Sequence, residues 1–447
     1  MIDGGRKARL DAPARLFLLM SVPAVALRLP QPWAVRHVRP FFCSALDGGA
    51  GPKPKALPPA LALAEWAPHV RDMLRPLGDA SCVPREVRHM LDAVGAPVQA
   101  IQDPVLEGLG VKLSLKRDDL IHPEISGNKW RKLKYNVLFA ATRGESLLTF
   151  GGAFSNHIAA TAALGAACGV GTVGVIRGEE LRSAPRNPTL QAAEAHGMRL
   201  LFVSREEFRA LTASAASTAA MHPDAPRPPP LTALTALLGG GGGYHIIPEG
   251  GANVLGVCGC CETLLEDAGL HEGWSRASGH HQIVAVAAGT GATMAGLAAG
   301  AREGQSVLGF PVLKGGAFVR DHAESLLQEA AGRVPGVQSD VSSGAGGLPR
   351  VCEDAHFGGY GKTPAEVIAF VRRFHATTGV RLDPIYTGKM MCALYAMAER
   401  GELQEHARGC LGGGGEGNGV CVLAVHTGGL QGVAGVEERL GERLFPA

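Results

Sequence analysis

The chain has 447 residues and carries a formal net charge of only +2 at pH 7. So small a charge argues against a protein that binds nucleic acid through a basic surface, and no apolar run reaches the ~18 residues that a membrane-spanning helix needs. With 62 glycines, 46% hydrophobic residues and few aromatics, the composition is typical of an α/β protein with a large core and roughly two or three domains.

Residues 1–60 differ from the rest of the chain, because arginine and lysine strongly outnumber acidic residues there. The stretch 16–27 is apolar but is interrupted by Pro23. A basic, acid-poor N-terminus is typical of a transit peptide for a mitochondrion or plastid, while the short apolar run also permits a signal-like segment. A disordered arm without a targeting role is the third alternative. We expect an intracellular protein whose folded core excludes this arm.

Strands and helices alternate after a connecting region at 61–110. We predict strands at 111–116, 147–150, 172–176, 200–203, 244–247, 283–288, 306–312 and 420–425. Helices are predicted between them, notably from 158 to about 168, from Pro188 to the residue before Gly197, and at 364–375 and 388–400. Asn187 before Pro188, and Ser204 with Glu207, are typical signals of a helix start. The alternation predicts open, mostly parallel sheets with helices on both faces.

Three segments interrupt this alternation. Residues 213–243 contain a proline-rich run and five successive glycines at 239–243, which favours a flexible surface insertion. Residues 334–350 are rich in Gly and Ser and are predicted as a loop. A second glycine tract at 412–419 formally matches the GxGxxG pattern of dinucleotide-binding proteins. Because it precedes a strand and opens no helix, we reject this function for it.

Lys129 lies where a strand-like segment passes into a helix. The segment 126–135 reads Ser-Gly-Asn-Lys-Trp-Arg-Lys-Leu-Lys-Tyr and is followed by helix-favouring residues up to Ala141. The positive end of the helix and the neighbours Arg131, Lys132 and Lys134 all disfavour a protonated amine on Lys129. A lysine needs a neutral amine to form a Schiff base. The alternative is a solvated basic turn.

A glycine-rich turn, Gly289-Thr290-Gly291-Ala292-Thr293, follows the buried strand at 283–288 and opens a helix. Glycines let the backbone approach a ligand, and the free amides at a helix start bind phosphate. The turn lacks the lysine of a Walker loop and the full GxGxxG spacing, which argues against a nucleotide site. A tight packing turn is the alternative.

A second turn of this kind, Gly151-Gly152-Ala153-Phe154-Ser155-Asn156-His157, again connects a strand to a helix. Its amides could bind a carboxylate, and Ser155 could act as a nucleophile or carry a proton. The main alternative for Ser155 is a helix cap. His157 on its own would more often be a surface or capping residue than a catalyst.

Two loops carry tyrosines, which number only five in the chain. Tyr360 lies among glycines, and Tyr386 lies in the segment 383–389, Asp-Pro-Ile-Tyr-Thr-Gly-Lys. Buried hydroxyl groups need hydrogen-bond partners, although ordinary packing is the alternative for each tyrosine. The turn His-Thr-Gly-Gly at 426–429 follows the last strand. Ligands of open parallel sheets bind beyond the carboxyl ends of the strands, so the turns after Phe150, Ala288 and Val425 can converge.

The ten cysteines predict no metal site. Cys258, Cys260 and Cys261 cluster, but they lack a second pair of ligands at the spacing of a zinc site. Inert thiols in a reducing compartment are the better interpretation.

In this order the motifs resemble those of the 1-aminocyclopropane-1-carboxylate deaminase / D-cysteine desulfhydrase family, whose members use pyridoxal phosphate on the tryptophan-synthase-β-type fold. The resemblance runs from about residue 95 to 435 and leaves out the arm, the insertion and the second glycine tract. It rests on Ser-Gly-Asn-Lys at 126–129 with Arg-Lys-Leu at 131–133, Gly-Gly at 151–152 with Ser-Asn-His at 155–157, Pro-Glu-Gly-Gly at 248–251, the segment 383–389 and the turn 426–429.

The resemblance implies a fold and a division into domains. We expect two open, mostly parallel sheet domains with helices on both faces and pyridoxal phosphate in the cleft between them. The large cofactor domain would combine 61–134 with 245–447, and the small domain would span 135–244 with the insertion. We also expect a homodimer that acts on a small amino acid.

The resemblance also implies roles for individual residues. Lys129 would hold the cofactor as a Schiff base and take the α-proton of the substrate. Ser155, Tyr360 and Tyr386 match catalytic residues of the family. The phosphate would be bound by Gly289, Thr290, Gly291, Ala292 and Thr293, the ring hydroxyl by Asn156, the pyridine nitrogen by Thr427, and the substrate by Ser155, Asn156 and His157.

Two positions distinguish the members of this family. The cyclopropane deaminases carry Glu directly after the tyrosine that matches Tyr386, and Gln after the asparagine that matches Asn156, where this chain has Thr387 and His157. Both residues favour a D-cysteine desulfhydrase, which converts D-cysteine to pyruvate, ammonia and sulfide. The alternatives are deamination of the cyclopropane amino acid, a protein that binds the cofactor or an amino acid without turnover, and a nucleotide-binding Rossmann protein.

Overall fold

The larger sheet joins strands from both ends of the chain. In the computed structural model, which describes residues 95–219, 228–239, 243–265, 282–302, 304–333, 349–410 and 419–446, its strands have the order β1-β2-β10-β7-β8-β9. Only β1 and β2 are antiparallel among the neighbouring pairs of these described strands. The strands are β1 (Val98–Ile101), β2 (Val111–Lys116), β7 (Ile283–Ala288), β8 (Ser306–Pro311), β9 (Arg350–Val351) and β10 (Val420–Val425).

The smaller sheet is formed by the middle of the chain. Its parallel strands have the order β5-β4-β3-β6. Two mostly parallel sheets with helices confirm the predicted fold class. The division into domains stays a prediction, and β6 crosses its boundary at 244/245. The strands are β3 (Ser146–Gly151), β4 (Thr172–Arg177), β5 (Arg199–Val203) and β6 (Tyr244–Ile247).

Helices connect the strands and cover both sheets. The described residues all belong to one compact unit. None of the helices in these ranges is long and apolar enough to cross a membrane. The helices are α1 (Pro104–Gly108), α2 (Asn128–Thr142), α3 (Asn156–Cys168), α4 (Pro188–Ala195), α5 (Arg205–Ala219), α6 (Pro229–Leu238), α7 (Val254–Leu265), α8 (Ala292–Gly300), α9 (Ala317–Arg333), α10 (Ala365–Thr378), α11 (Thr387–Glu399), α12 (Glu402–Cys410) and α13 (Val433–Leu440).

The central strands bury both of their faces. In β7, Val284 and Val286 pack into one hydrophobic cluster, while Ala285 and Ala287 pack into another on the opposite face. Successive side chains of a strand point to opposite faces, and helices on both faces exclude water from each. This explains why the strand is a continuous apolar run in the sequence.

Part of the predicted surface insertion is a helix packed on the smaller sheet. α6 begins at Pro229 and buries Leu231, Leu234 and Leu238 in a cluster with residues of β3 and β4. Proline is well tolerated in the first turn of a helix, so the proline-rich run can lead directly into α6. The prediction of a flexible segment was therefore wrong for the part that α6 occupies and for residues 213–219, which belong to α5.

Several predictions lie outside the described residues. These are the N-terminal arm at 1–60, most of the loop at 334–350, residues 220–227 and 240–242 of the insertion, and residues 411–418 of the second glycine tract.

Candidate active site

The start of α2 packs against the turn that follows β10. The backbone amide of Asn128 donates to the carbonyl oxygen of Thr427 at 3.3 Å. Gly127 precedes the helix with φ +66°, and a Cβ atom added to it would lie 2.0 Å from the same oxygen. Only glycine adopts this backbone conformation readily and leaves room for so close an approach. The local sequence Ser-Gly-Asn-Lys thus fixes Lys129 next to the turn at 426–429.

Asn128 connects Lys129 to the predicted phosphate turn. The Lys129 amine donates to Asn128 Oδ1 at 2.8 Å, and Asn128 Nδ2 donates to Thr293 Oγ1 at 2.9 Å. Asn128 and Thr293 are buried. Asn128 stands in one of the sequence motifs, but its role was not predicted, because its partner lies 165 positions further along the chain.

The Lys129 amine has the low pKa that the sequence suggested. Burial is the largest cause and the positive charge of Lys132 the next, and together they lower the pKa of Lys129 to about 7. Arg131 and Lys134 were expected to contribute too, but each is held in an ion pair, with Asp118 and Glu262 respectively. At neutral pH a large fraction of Lys129 is therefore the free base that nucleophilic attack requires.

The turn at 289–293 lies close to two other loops. Gly291 adopts φ +82° and precedes α8 as its N-cap. A Cβ atom on Gly289 would lie 3.6 Å from Cε1 of Tyr386, and one on Gly250 would lie 3.0 Å from Cγ2 of Thr290. The start of α8, the loop at 248–251 and the loop that carries Tyr386 thus meet at one place.

Lys132 ties α2 to the loop that follows β6. Its amine donates to the carbonyl oxygen of Gly250 at 3.0 Å. Burial lowers the pKa of this lysine. The hydrogen bond holds the loop beside α2, next to Lys129.

Ser155 acts as the N-cap of α3. Its Oγ accepts a hydrogen bond from the amide of Ile158 at 3.3 Å, which confirms the cap that the sequence offered as an alternative. The hydroxyl hydrogen is not used by this bond, since the oxygen accepts, so the cap leaves the predicted catalytic role open. That role stays a prediction.

Asn156 lies beside the turn after β10. A Cβ atom added to Gly429 would lie 3.4 Å from Nδ2 of Asn156 and 3.2 Å from Cγ of Asp383. Asp383 accepts hydrogen bonds from the amides of Tyr386 at 2.7 Å and Thr387 at 2.8 Å, and so caps the start of α11. The β3 turn and the β10 turn therefore adjoin one another, as predicted from the positions of the strand ends, and the loop that carries Tyr386 adjoins both.

His157 is buried rather than open to solvent. Its Nε2 lies 2.9 Å from Oγ1 of Thr149, whose hydroxyl donates to the carbonyl of Ile247. Thr149 must then accept, so the proton is on Nε2, and Nδ1 is a buried acceptor without a hydrogen-bond partner among the described residues. Burial first, and then the charges of Lys129 and Lys132, hold the pKa of His157 well below its usual value. His157 is a neutral group at this site.

Tyr360 and Tyr386 come from different loops and meet at their hydroxyl groups. The hydroxyl of Tyr386 donates to that of Tyr360 at 3.4 Å, and the rings meet edge to face with centroids 6.0 Å apart. Burial, with Tyr360 as the next cause, raises the pKa of Tyr386 well above its usual value. Tyr386 therefore keeps its proton at neutral pH, while Tyr360 is 53% exposed.

Lys389 fixes the loop that carries Tyr360. Its buried amine donates to the carbonyl oxygens of His356 at 2.9 Å and Gly359 at 2.8 Å. Between them Phe357 adopts φ +47°, the left-handed region that residues with side chains rarely occupy. Burial lowers the pKa of Lys389 to about 8. The role of this lysine was not predicted, since neither partner is a neighbour in the chain.

The clustered cysteines are buried thiols. Burial raises the pKa of Cys258 to about 12, and burial also raises the pKa of Cys260. In the part of the chain that the structure describes, no group of His, Cys, Asp and Glu side chains could hold a metal ion.

These residues fit a cofactor that is attached through a lysine and carries a phosphate group. Lys129 offers an amine of low pKa, and Asn128 connects it to the start of α8, where backbone amides are free. Gly289 has no side chain, and the Tyr386 ring borders the space that a Cβ atom would fill. The donor set therefore suits pyridoxal phosphate.

Comparison with known proteins gives the same result. The family model named pyridoxal-phosphate dependent enzyme matches residues 95–411. A Pyrococcus horikoshii protein provisionally named 1-aminocyclopropane-1-carboxylate deaminase is 28% identical over 341 residues, 75% of this chain and 90% of that protein. The D-cysteine desulfhydrase of Salmonella choleraesuis is 31% identical over 314 residues, 68% of this chain and 87% of that enzyme. The crystal structure of an ACC deaminase homologue, at 26% identity, superposes with a TM-score of 0.60 and covers 81% of this chain and 100% of that one.

Proposed function

Because the chain belongs to the family of pyridoxal-phosphate dependent enzymes that includes 1-aminocyclopropane-1-carboxylate deaminases and D-cysteine desulfhydrases, we propose that it catalyses α,β-elimination from D-cysteine. With water, the products are pyruvate, ammonia and hydrogen sulfide. The observation that carries this choice is the buried pair of neutral hydroxyls, Thr387 and Thr427. The cyclopropane deaminases have a carboxylate at the first of these positions.

Pyridoxal phosphate, when bound, withdraws electrons from the α-carbon of the amino acid. Lys129 is proposed to hold it covalently, and Gly289, Thr290, Gly291, Ala292 and Thr293 to hold its phosphate through amides and hydroxyls. Asn156 would bind the ring hydroxyl and Thr427 the pyridine nitrogen. The adjacency of the β3 turn, the β10 turn and the α8 start supports this assignment.

Two groups are suited to move protons at neutral pH. The Lys129 amine, with a pKa of about 7, can accept the proton from the substrate α-carbon. Tyr386 stays protonated because its pKa is raised, so it can donate a proton to the sulfur that leaves the β-carbon. Tyr360 lies within hydrogen-bond distance of Tyr386 and would orient its hydroxyl.

The turn after β3 is proposed to bind the substrate carboxylate. It begins a helix of 13 residues, α3, whose first amides face an anion favourably. The hydroxyl hydrogen of Ser155 and the side chain of Asn156 would complete the site. His157, whose ring contacts Thr149 of β3, is a neutral imidazole and adds no charge beside the substrate.

A neutral hydroxyl at the pyridine nitrogen favours elimination. A carboxylate beside that nitrogen would keep it protonated and stabilise negative charge strongly, whereas two threonine hydroxyls stabilise it less. In the elimination of sulfide the negative charge leaves with the sulfur, which is a good leaving group. Opening of a cyclopropane ring releases no leaving group that could carry the charge away. Thr387 therefore favours D-cysteine over the cyclopropane amino acid.

The alternative enzyme function is deamination of 1-aminocyclopropane-1-carboxylate, which the Pyrococcus relative is provisionally named for. An alternative of another class is a protein that binds pyridoxal phosphate without turnover. Such a protein would show the absorbance of the bound cofactor but release no ammonia from any small amino acid.

Parallel assays of the purified holoenzyme decide between these functions. We expect pyruvate and sulfide from D-cysteine, at a kcat/KM well above that for 2-oxobutyrate from the cyclopropane amino acid. The opposite order would reject the proposal in favour of the deaminase, and no release of ammonia from either compound would favour the binding protein.

Three further features stay proposals. We infer a homodimer, which analytical ultracentrifugation would test. We infer a cofactor cleft between a large domain at 61–134 and 245–447 and a small domain at 135–244. We also infer that residues 1–60 direct the protein to a mitochondrion or plastid, which a fusion of these residues to a fluorescent protein would test.

A further inference from the structure

The smaller sheet has a topological switch point between β3 and β6. From β3 the chain proceeds through α3 to β4 and through α4 to β5, each strand adding on the same side. It then returns through α5 and α6 to β6, which pairs with the other edge of β3. At such a point the connections leave in opposite directions, and a crevice opens beyond the carboxyl ends of the strands.

A cavity of about 650 Å³ lies at this edge of the sheet. It is lined by residues that follow all of the strands, including Gly152 after β3, Arg177 at the end of β4, Arg205 and Arg209 in α5, and Glu249 after β6. We call this cavity the arginine crevice. Gly152 and Glu249 lie on either side of the switch point.

The arginines of the crevice differ in how they are paired. Arg205 forms an ion pair with Glu180 at 3.1 Å, and both side chains are well exposed. Within the described ranges, the guanidinium groups of Arg177 and Arg209 make no hydrogen bond or ion pair. The crevice thus holds two positive charges that are free to bind a ligand.

Arg177 is held in place by contacts that leave its donors free. Its guanidinium carbon lies 5.6 Å from the centre of the Phe208 ring. A Cβ atom added to Gly152 would lie 3.4 Å from Nη2 of Arg177. Stacking on an aromatic face orients a guanidinium without consuming its N–H groups. The free donors therefore lie next to the turn that carries Ser155.

The two acidic residues of the crevice, Glu180 and Glu249, do not cancel these charges. The charge of Arg177 acts on the Glu249 carboxyl, but among the described contacts the two residues form no ion pair within 4.0 Å. Burial raises the pKa of Glu249, which weakens its competition with an incoming anion. Glu180 is already paired with Arg205.

We propose that the arginine crevice binds the anionic group of a small ligand, a carboxylate or a phosphate, through Arg177 and Arg209. Planar guanidinium groups bind both anions in a bidentate manner. The lining of the crevice includes no residue of the phosphate turn at 289–293, and it adjoins the turn before α3 through Gly152 and Ala153. Its ligand is either the side chain of an anionic substrate or a free anion.

Inorganic phosphate is the probe for this proposal. Isothermal titration should use the holoenzyme, in which the cofactor phosphate already occupies the turn at 289–293. We expect Arg177→Gln and Arg209→Gln each to weaken phosphate binding by about tenfold or more, because each removes charge-assisted hydrogen bonds. Arg320→Gln, which removes an exposed arginine of α9, is the matched control and should bind as the wild type does.

The proposal is overturned if wild-type holoenzyme binds no phosphate, or if the two crevice variants bind it as tightly as Arg320→Gln does. This titration does not depend on turnover, so its outcome is separate from that of the proposed function. All replaced side chains are exposed, and the visible absorbance of the bound cofactor confirms that each variant folds.

A kinetic comparison then identifies the source of the anion, and this arm rests on the proposed function. O-phospho-D-serine and β-chloro-D-alanine both permit α,β-elimination, but only the first carries an anionic side chain. A selective loss of kcat/KM for O-phospho-D-serine in Arg177→Gln identifies the substrate as the ligand. Unchanged kinetics together with lost phosphate binding identify a free anion.

Discussion

The side-chain hydroxyls of Thr387 and Thr427 lie 3.4 Å apart, and both residues are buried. Thr387 is the first residue of α11, and Thr427 follows β10, so the pair joins two of the loops that form the site. In such a pair one hydroxyl donates to the other, which keeps its own proton for a further partner, and neither brings a charge. The substrate choice of the enzyme should therefore depend on this pair.

Replacing Thr387 with Glu should shift activity toward the cyclopropane amino acid. A carboxylate beside Thr427 would stabilise more negative charge on the cofactor ring, and one such contact changes discrimination by ~10-fold or more. The measurement is the ratio of 2-oxobutyrate formed from the cyclopropane acid to pyruvate formed from D-cysteine. Thr387→Gln is the neutral control of equal size, and an equal shift in both variants would contradict the electrostatic explanation.

Tyr386→Phe should reduce kcat while the cofactor remains bound. Loss of a positioned proton donor costs ~10²-fold or more in rate, whereas the ring that borders Gly289 is retained. Steady-state kinetics with D-cysteine and the visible spectrum of the holoenzyme provide the two measurements. Tyr244→Phe is the control, because it removes a tyrosine hydroxyl at the start of β6, which donates to the carbonyl of Gly239. A Tyr386→Phe enzyme with wild-type kcat would remove Tyr386 from the mechanism.

Lys132→Met should raise the pKa of Lys129. The charge of Lys132 lowers that pKa, and removing a positive neighbour favours the protonated amine. The rate at which apoenzyme takes up pyridoxal phosphate should rise with pH through about 7 in the wild type, where Lys129 loses its proton, and through a higher pH in the variant. Lys112→Met, at an exposed position of β2, is the control. An unchanged or lower midpoint in Lys132→Met would show that the two amines are not coupled.

Gly127→Ala should destabilise the protein more than Gly144→Ala. The two glycines have nearly equal φ, +66° and +64°, but a Cβ atom would meet the Thr427 carbonyl at Gly127 and nothing within 4 Å at Gly144. Gly144→Ala should cost about 1 kcal/mol for its left-handed backbone, and Gly127→Ala about 3 kcal/mol or more because a clash is added. Urea unfolding measures both free energies. Equal costs in the two variants would contradict the close approach of Gly127 to the Thr427 carbonyl.

Local signals made most of the fold predictable. Asn187 does cap α4 by accepting from the amide of Leu190, and Ser204 and Glu207 do form a reciprocal capping box. Such interactions join residues within one turn, so they can be found in a short stretch of sequence. The continuous apolar runs of β7 and β10 likewise identify strands buried on both faces.

In the insertion at 213–243, the local sequence signals led to a wrong prediction. Leu231, Leu234 and Leu238 recur at the spacing of one helix face, yet the prolines and glycines on either side suggested a loop. The apolar period was the stronger signal, because a proline at a helix start costs little. The helical period of Val319 and Ala323 in α9 was missed in the same way.

The site contacts that join distant residues could not be predicted. Burial is the largest cause of the low pKa of Lys129, and burial is a property of the folded chain. The bond between Asn128 and Thr293, and the clamp of Lys389 on the loop of Tyr360, likewise join segments far apart in sequence. The motifs indicated which turns meet, but the partner of each side chain needed coordinates.

The central claim is that Lys129 carries the cofactor. Reduction of the holoenzyme with borohydride, followed by digestion and mass spectrometry of the peptides, tests it most directly. We expect the pyridoxyl group on Lys129, the amine that burial and Lys132 bring to a pKa of about 7. A pyridoxyl group on Lys132, Lys134 or Lys389, or on no lysine at all, would contradict the account.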